Sequence, residues 1–298
     1  MFKIIVDSAA NIPADLAKKY DIQVISFVNW LNGQQLTCYD PSLNQEQERE
    51  KGKLYYDAIR QGAEVKTGLI ASGTFCEVFL KALEEDQDVL YFCLSKNISG
   101  NYNSARLGAE MALESADSKR QIRIIDSLNA SLGQGILAIY ASEMRAQGKS
   151  FEETANTLES YPAKMLGLFT VGDLKYLAKT GRVSNVKAFV GNALSIKPIL
   201  KGNKDGYIVQ FKNVRGRKAS LNTLVDLLIK NITNPEEQII GIAHADAYEE
   251  SLEVMAKIQE KIKVRGFINT SYDFCTGSHV GPDTIALFFM ADDRELNK

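Results

Sequence analysis

In the first half of the chain, short apolar runs alternate with segments that have the apolar spacing of helices. The strand-like runs are residues 3–6, 88–94 and 122–125. The helical patterns cover residues 75–83, 99–114 and 132–144. Strands with consecutive apolar positions are typical of sheets covered on both faces. The pattern therefore predicts an α/β fold with a parallel sheet flanked by helices.

Other segments of this half have turn and helix-start signals. Asn11 and Pro13 precede a predicted helix over residues 14–20. Residues 22–30 indicate one long strand, which Asn32-Gly33 turns back through residues 34–39 as a hairpin. Lys66-Thr67-Gly68 is interpreted as a loop of small residues.

The second half has a different arrangement of predicted strands and helices. Ser150 and Glu153 form a capping box for a helix, and Asn203–Gly206 is a hairpin signal. Predicted strands cover residues 165–171, 197–200, 207–214, 238–244, 267–275 and 284–290. Predicted helices cover residues 173–181, 186–194, 220–230 and 249–261. The sequence thus predicts a mixed α+β domain over residues 159–298 after an α/β domain over residues 1–158.

Composition and charge exclude several classes of protein. The 298 residues are 45% hydrophobic and 24% charged with a net charge of −2, which argues against a nucleic-acid partner. Four scattered cysteines and two histidines argue against a disulfide scaffold or a metal site. The N-terminus enters a strand pattern directly, and no apolar run reaches about 18 residues. We expect a cytoplasmic protein without stable membrane insertion; transient membrane contact stays open.

Polar residues follow several of the predicted parallel strands. Asp7-Ser8, Ser95 to Ser99 and Asp126-Ser127 would lie at the carboxyl edge of the sheet, where ligands bind. Ser99 also precedes a predicted helix, so its plain interpretation is an N-cap. Free N–H groups and the helix dipole at that position also favour an anion.

Three further side chains are ambiguous when taken singly. Thr67 is interpreted either as a loop residue or as a ligand donor, and Arg182 as a solvated residue after a helix C-cap or as an anion ligand. His279 lies in a predicted turn over Gly277–Pro282, where an imidazole has little structural role. His244 ends an apolar strand and is interpreted as structural or partner-facing. Together with Ser99, the first three offer the hydroxyl, guanidinium and imidazole groups that hold a carboxylate.

Segment 94–105, LSKNISGNYNSA, resembles the most specific loop of the DegV family of bacterial fatty-acid-binding proteins. The resemblance spans almost the whole chain. Its other motifs are Lys66-Thr67, Asp126-Ser127 with the glycines at 133 and 135, Leu177 to Arg182, Ser195 to Ile199, and Gly277 to Pro282.

The resemblance implies a two-domain DegV-like fold and a substrate carrier that presents a long-chain fatty acid to a separate fatty acid kinase. It implies no cofactor, because the kinase would bind ATP and Mg²⁺. The implied carboxylate ligands are Thr67, Ser99, Arg182 and His279. The implied loop residues of the site are Gly68, Gly100, Asn101, Ser127 and Gly281. Apolar residues proposed for the acyl tunnel of the C-terminal domain are Phe169, Phe189, Leu194, Ile196, Ile199 and Leu200.

A basic segment resembles the family's K-x-x-R-x-R-K stretch. Arg215 and Arg217, with Lys212 and Lys218, indicate a kinase-docking patch or, equally, a solvated loop. Departures at residues 68–71, Asn101 and Asp283 leave the preferred acyl chain undetermined.

Two other functions stay open. A serine hydrolase would use Ser99, His279 and Asp126, although the G-x-S-x-G elbow is missing from the chain. A lipid-sensing regulatory module would bind the same ligand without a kinase.

Overall fold

The computed structural model describes residues 2–183 and 195–296. The strands are β1 (Phe2–Asp7), β2 (Ile22–Ile25), β3 (Val28–Leu31), β4 (Gln34–Thr37), β5 (Val65–Gly68), β6 (Asp88–Cys93), β7 (Ile122–Asp126), β8 (Met165–Thr170), β9 (Ile196–Gly202), β10 (Ile208–Arg215), β11 (Ile239–His244), β12 (Gly266–Ser271) and β13 (Ile285–Met290). The helices are α1 (Ala14–Lys19), α2 (Gln45–Arg60), α3 (Ser72–Glu84), α4 (Asn101–Ser115), α5 (Leu132–Ala146), α6 (Phe151–Leu158), α7 (Lys175–Thr180), α8 (Arg217–Asn231), α9 (Tyr248–Gln259) and α10 (Phe274–Val280).

The predicted parallel sheet is confirmed. It has the order β2-β1-β6-β7, and all three strand pairs are parallel. Strand β6 is apolar and buried on both faces along most of its length, because helices α3 and α5 both pack on it. The polar residues after β1, β6 and β7 therefore meet at one edge, as the sequence predicts.

A second, mixed sheet has the order β10-β9-β8-β13-β11-β12. Its pairs are antiparallel except for β11 and β12, which run parallel. Helix α5 packs on strands of both sheets, against β1 and β6 and also against β8, β11 and β13. Its Leu132, Ile136, Leu137 and Ile139 are fully buried, as expected for a helix covered all round.

A small antiparallel sheet of order β4-β3-β5 corrects two predictions. The predicted strand over residues 22–30 is two strands in different sheets, with Ser26 and Phe27 at the break. There the Ser26 hydroxyl accepts from the backbone N–H groups of Cys38 and Tyr39 at 3.0 and 3.2 Å. Lys66-Thr67-Gly68 is strand β5 rather than a loop, and Thr67 pairs with Asn29. The predicted hairpin at Asn32-Gly33 is confirmed.

Helix α10 corrects a third prediction. The strand predicted to reach Cys275 ends at Ser271, and most of the predicted turn at 277–282 is helical. Asp273 starts the helix, because its carboxylate accepts from the backbone N–H groups of Cys275 and Thr276 at 3.2 and 2.9 Å. His279 therefore lies in the last turn of a helix.

Other local predictions are confirmed, including the Ser150/Glu153 capping box and the hairpin between β9 and β10. The helix predicted over residues 186–194 lies outside the described residues. The domain boundary at 158/159 stays a prediction.

Candidate functional site

A cavity of about 260 Å³ lies at the carboxyl edge of the parallel sheet. The four predicted carboxylate ligands, Thr67, Ser99, Arg182 and His279, all line it, as do Gly68 and Gly100. Four elements or loops far apart in the sequence thus contribute these residues to one cavity. This arrangement places hydroxyl, guanidinium and imidazole groups where a single anionic group could reach them.

Thr67 and His279 meet across β5 and α10. Thr67 Oγ1 lies 3.3 Å from His279 Nε2. The start of α10 is held against the rest of the protein by the Phe274 carbonyl, which accepts from Asn29 Nδ2 and from the Tyr55 hydroxyl at 3.1 Å each. Asn29 also pairs with Thr67 in the small sheet. Asn29 therefore helps to position both β5, which carries Thr67, and α10, which carries His279.

The loop before α4 positions Ser99. The helix N-cap is Gly100, not Ser99 as predicted. The Ser99 hydroxyl instead accepts from the backbone N–H of Asn101 at 3.2 Å. Ser99 thus lines the cavity at the N-terminus of a 15-residue helix, where the helix dipole favours negative charge.

Asn101 faces away from the cavity, into a buried network. Its Nδ2 donates to Asp7 Oδ2 and to the Tyr91 hydroxyl at 3.0 Å each. The Tyr91 hydroxyl also donates to Asp7 Oδ2, at 2.7 Å. Burial raises the pKa of the Asp7 carboxyl to about 6, although the Tyr91 hydrogen bond opposes the shift. The network holds the first residue of α4 in place and so supports the Ser99 loop indirectly.

His279 is neutral at physiological pH. Burial, with a smaller contribution from the positive charge of Arg182, lowers its pKa to about 4. Its Nδ1 is buried and has no hydrogen-bond partner among the residues that the structure describes. Arg182 is exposed, and its Nη1 donates to the Thr180 carbonyl at 2.5 Å. Helix α7 ends just before it, at Gly181, whose φ of 68° is left-handed.

Like Asn101, two further predicted loop residues do not line the cavity. The Ser127 hydroxyl is buried and donates to the Asn129 carbonyl at 3.1 Å, while the next residues, Leu128 and Asn129, line the wall. Gly281 ends α10 with a φ of 79°. A Cβ at that position would overlap the ring of Tyr176. Gly281 therefore lets the chain turn sharply past Tyr176 rather than contacting the cavity.

The apolar walls come from both predicted domains. They include Phe27, Leu94 and Ile98 from the first half and Phe169, Ile208 and Phe288 from the second. Of the residues predicted for a tunnel, Phe169 lines the cavity. Ile199 and Leu200 are buried elsewhere in the core, and Ile196 is 42% exposed. Phe189 and Leu194 lie outside the described residues.

Sequence reasoning missed the buried Arg294, which supports one wall. It donates to the carbonyls of Leu128 at 2.7 Å, Met165 at 3.0 Å, and Pro162 and Asn203 at 3.1 Å each. Leu128 has a left-handed φ of 52° and lines the cavity. No local sequence signal marks these contacts, because they join segments as many as 166 residues apart.

Across residues 2–183 and 195–296, no helix combines the length and apolarity needed to cross a membrane. Over the same ranges, no group of three or more His, Cys, Asp or Glu side chains could hold a metal ion.

The fold and the cavity define a mixed α/β protein with an internal site suited to an amphipathic anion. The chain belongs to the DegV family: the family model, described as an uncharacterised protein of the DegV family, matches residues 1–292. This confirms the family and the fold class that the sequence motifs indicate.

The matches to named relatives cover nearly the full chain. A DegV domain-containing protein of Clostridium perfringens is 35% identical and covers 99% of both chains. A protein of Thermotoga maritima named as a fatty acid-binding protein is 32% identical and covers 95% of both. The crystal structure of a DegV family protein of Ruminococcus gnavus with vaccenic acid is 25% identical, with a TM-score of 0.84, and the match covers 96% of this chain and 99% of that one.

Proposed function

We propose that this chain binds one long-chain fatty acid and presents it to a separate fatty acid kinase in the cytoplasm. The carboxylate would contact Thr67, Ser99, Arg182 and His279, and the tail would occupy the apolar cavity. The observation that carries the proposal is the convergence of these four side chains on one otherwise largely apolar cavity. Relatives named for fatty acid or vaccenic acid support the ligand class.

The proposal includes the division of the chain into residues 1–158 and 159–298. Thr67 and Ser99 belong to the first part, and Arg182 and His279 to the second. A carboxylate bound by all four would hold the two parts together, so ligand binding should stabilise the whole chain.

The two ends of the ligand would have different tasks. Burial of a methylene group contributes about 0.8 kcal/mol, so about fifteen methylenes offer on the order of 12 kcal/mol before the cost of association. Each hydrogen bond to a charged carboxylate adds roughly 1.5–3 kcal/mol. The tail would therefore dominate affinity, while the head group would decide which end faces the opening.

The head-group donors would also suit transfer of a phosphoryl group to the carboxylate. Thr67 and Ser99 are uncharged, and the low pKa of His279 keeps its imidazole neutral. Because three of the four proposed donors are neutral and only Arg182 is charged, the charge of the carboxylate would be only partly offset, which leaves an oxygen nucleophilic. The kinase would supply ATP and Mg²⁺.

The hydrolase alternative lacks the contacts that it requires. In a serine hydrolase the imidazole bonds the nucleophile through one nitrogen and a carboxylate through the other. Here Nε2 of His279 faces Thr67 rather than Ser99, and Nδ1 has no partner within the described ranges. Asp126 accepts instead from the backbone N–H of Leu128, at 3.0 Å.

Arg217 is less suited to kinase docking than the other basic residues of the proposed patch. The guanidinium of Arg217 donates to both carboxylate oxygens of Glu250 at 2.6–3.2 Å, so its charge is largely compensated. Arg215 ends β10 and is exposed, as are Lys212 and Lys218. We therefore assign docking to Arg215 and the two lysines, since exposed charges steer a partner at little cost.

Ligand content is tested by organic extraction of the purified protein and mass spectrometry. We expect one long-chain fatty acid per chain. If no acyl species is extracted and the protein also fails to bind added oleate or palmitate, the ligand assignment is wrong.

Docking is tested in a reconstituted reaction with the cognate kinase, ATP and Mg²⁺. Arg215→Glu should leave oleate affinity unchanged and strongly reduce acyl-phosphate formation. The matched control is Lys119→Glu, which makes the same charge change at an exposed residue before β7. Equal loss in both variants would indicate a general charge effect, and loss of oleate binding would place Arg215 in the ligand site.

A further inference from the structure

A second cleft, of about 320 Å³, lies between α2 and α9 and runs along β12 to the carboxyl ends of β11 and β12. It shares no lining residue with the fatty-acid cavity. Strands β11 and β12 are parallel neighbours joined through α9, and the carboxyl ends of such strands are where open α/β sheets bind ligands. Its volume is within the usual range for small-molecule sites, about 300–1,000 Å³.

Arg49 contributes an unpaired positive charge to this cleft. Its guanidinium lies 4.2 Å from the ring centroid of Tyr248, in a cation–π contact. Among the residues that the structure describes, no carboxylate lies within 4.0 Å of its guanidinium nitrogens, and no acidic side chain lines the cleft. The nearby Asp15 accepts from Gln45 at 3.2 Å, outside the lining. The cleft thus presents a guanidinium held against Tyr248, with the N–H groups at its edge available.

His244 contributes a buried hydrogen-bond donor. It is 1% exposed, and its Nδ1 accepts from the backbone N–H of Ala247 at 3.4 Å. Burial, and to a lesser degree Arg49, lower its pKa to about 4, so the imidazole is neutral and carries its proton on Nε2. That nitrogen has no hydrogen-bond partner within residues 2–183 and 195–296, and the side chain lines the cleft. An N–H that faces the cleft without a protein partner is available to a ligand acceptor.

We propose that this cleft binds a small amphipathic carboxylate. Arg49 would hold the carboxylate through its two parallel N–H groups, and His244 Nε2 would donate to one of its oxygens. Leu252, Met255 and Phe267 would contact a short apolar body. A single cation and a neutral donor match a single negative charge, whereas a phosphate dianion would bring a second charge with no lining cation to balance it.

The two histidines of the chain allow a direct test, because one lies in each cavity. Benzoate is titrated into the full-length protein in excess oleate, and the Cε1–H signals of both histidines are followed by NMR, with assignment by His244→Gln. We expect a saturable shift of His244 with His279 unmoved. Arg49→Gln should weaken this response by roughly ten- to a hundredfold, and Arg106→Gln, on the exposed side of α4, should not.

Three results would overturn the proposal. They are a benzoate response at His279 without one at His244, an equal response in Arg49→Gln, and a His244 response to inorganic phosphate at the concentrations where benzoate acts. The last result would assign the cleft to anions in general. Because each result is decided by the His244 signal, it counts against this proposal whether or not the first cavity holds a fatty acid.

Discussion

Replacing Thr67 by valine removes one hydroxyl from the cavity at the carboxyl edge of the parallel sheet and nearly preserves side-chain shape. In the structure this hydroxyl contacts only His279, at 3.3 Å, among the described side chains. That distance is long for a hydrogen bond, so the variant should lose less than about 1 kcal/mol of stability. Ser99→Ala is a less clean change, because it also leaves the backbone N–H of Asn101 without its acceptor.

The expected loss of affinity follows from the proposed contact. One hydrogen bond to a charged carboxylate is worth roughly 1.5–3 kcal/mol, so oleate should bind roughly ten- to a hundredfold more weakly to Thr67→Val. Tail burial, on the order of 12 kcal/mol before association costs, is unchanged, so binding should remain measurable.

Calorimetric titration with oleate and with its methyl ester separates the head-group contribution to affinity from that of the tail. The wild-type protein should prefer the acid, and Thr67→Val should reduce this preference while changing ester affinity little. Equal loss for acid and ester would show that the substitution disturbs the cavity rather than the head group. Unchanged oleate affinity would remove Thr67 from the proposed ligand set.

Two other predictions concern protonation and backbone conformation. His244 and His279 should both titrate near pH 4 by NMR instead of near 6.5. Because their folded pKa values are depressed, the stability that they contribute is present above pH 6.5 and is lost as pH falls toward 4. Titration midpoints near 6.5 would contradict the described burial. Gly206→Ala should lower the free energy of unfolding by about 1–3 kcal/mol in urea titrations, because φ is +85° and the new Cβ would overlap the Ser95 hydroxyl. Gly33→Ala, with a φ of +82° and open space around it, measures the backbone strain alone, and an equal loss in both variants would exclude the steric effect.

Long apolar patterns predicted the parallel sheet and most helices correctly, because burial on both faces leaves an unambiguous signal. The errors lie in short elements. Strand β5 has four residues, and Lys66-Thr67-Gly68 contains too few apolar positions to show a period. In α10, Gly277 and Gly281 suggested a turn, although Asp273 is a residue type that commonly caps the start of a helix.

The candidate ligands Thr67, Ser99, Arg182 and His279 could be chosen from motifs, since each belongs to a recognisable segment. The network around Asp7 and the wall at Leu128 could not be chosen in this way. Their partners are distant in sequence, and buried hydrogen bonds between distant segments leave no periodic pattern.

The hydrogen bonds of Arg294 determine the order in which parts of the protein can fold during synthesis. Leu128, Pro162, Met165 and Asn203 leave the ribosome long before residue 294, yet their carbonyls are bonded to its guanidinium in the folded protein. During synthesis the parallel sheet can form early, but the cavity wall at Leu128 must wait for a side chain made 166 residues later. A nascent chain would therefore acquire the final wall of its cavity only after residue 294 has left the ribosome.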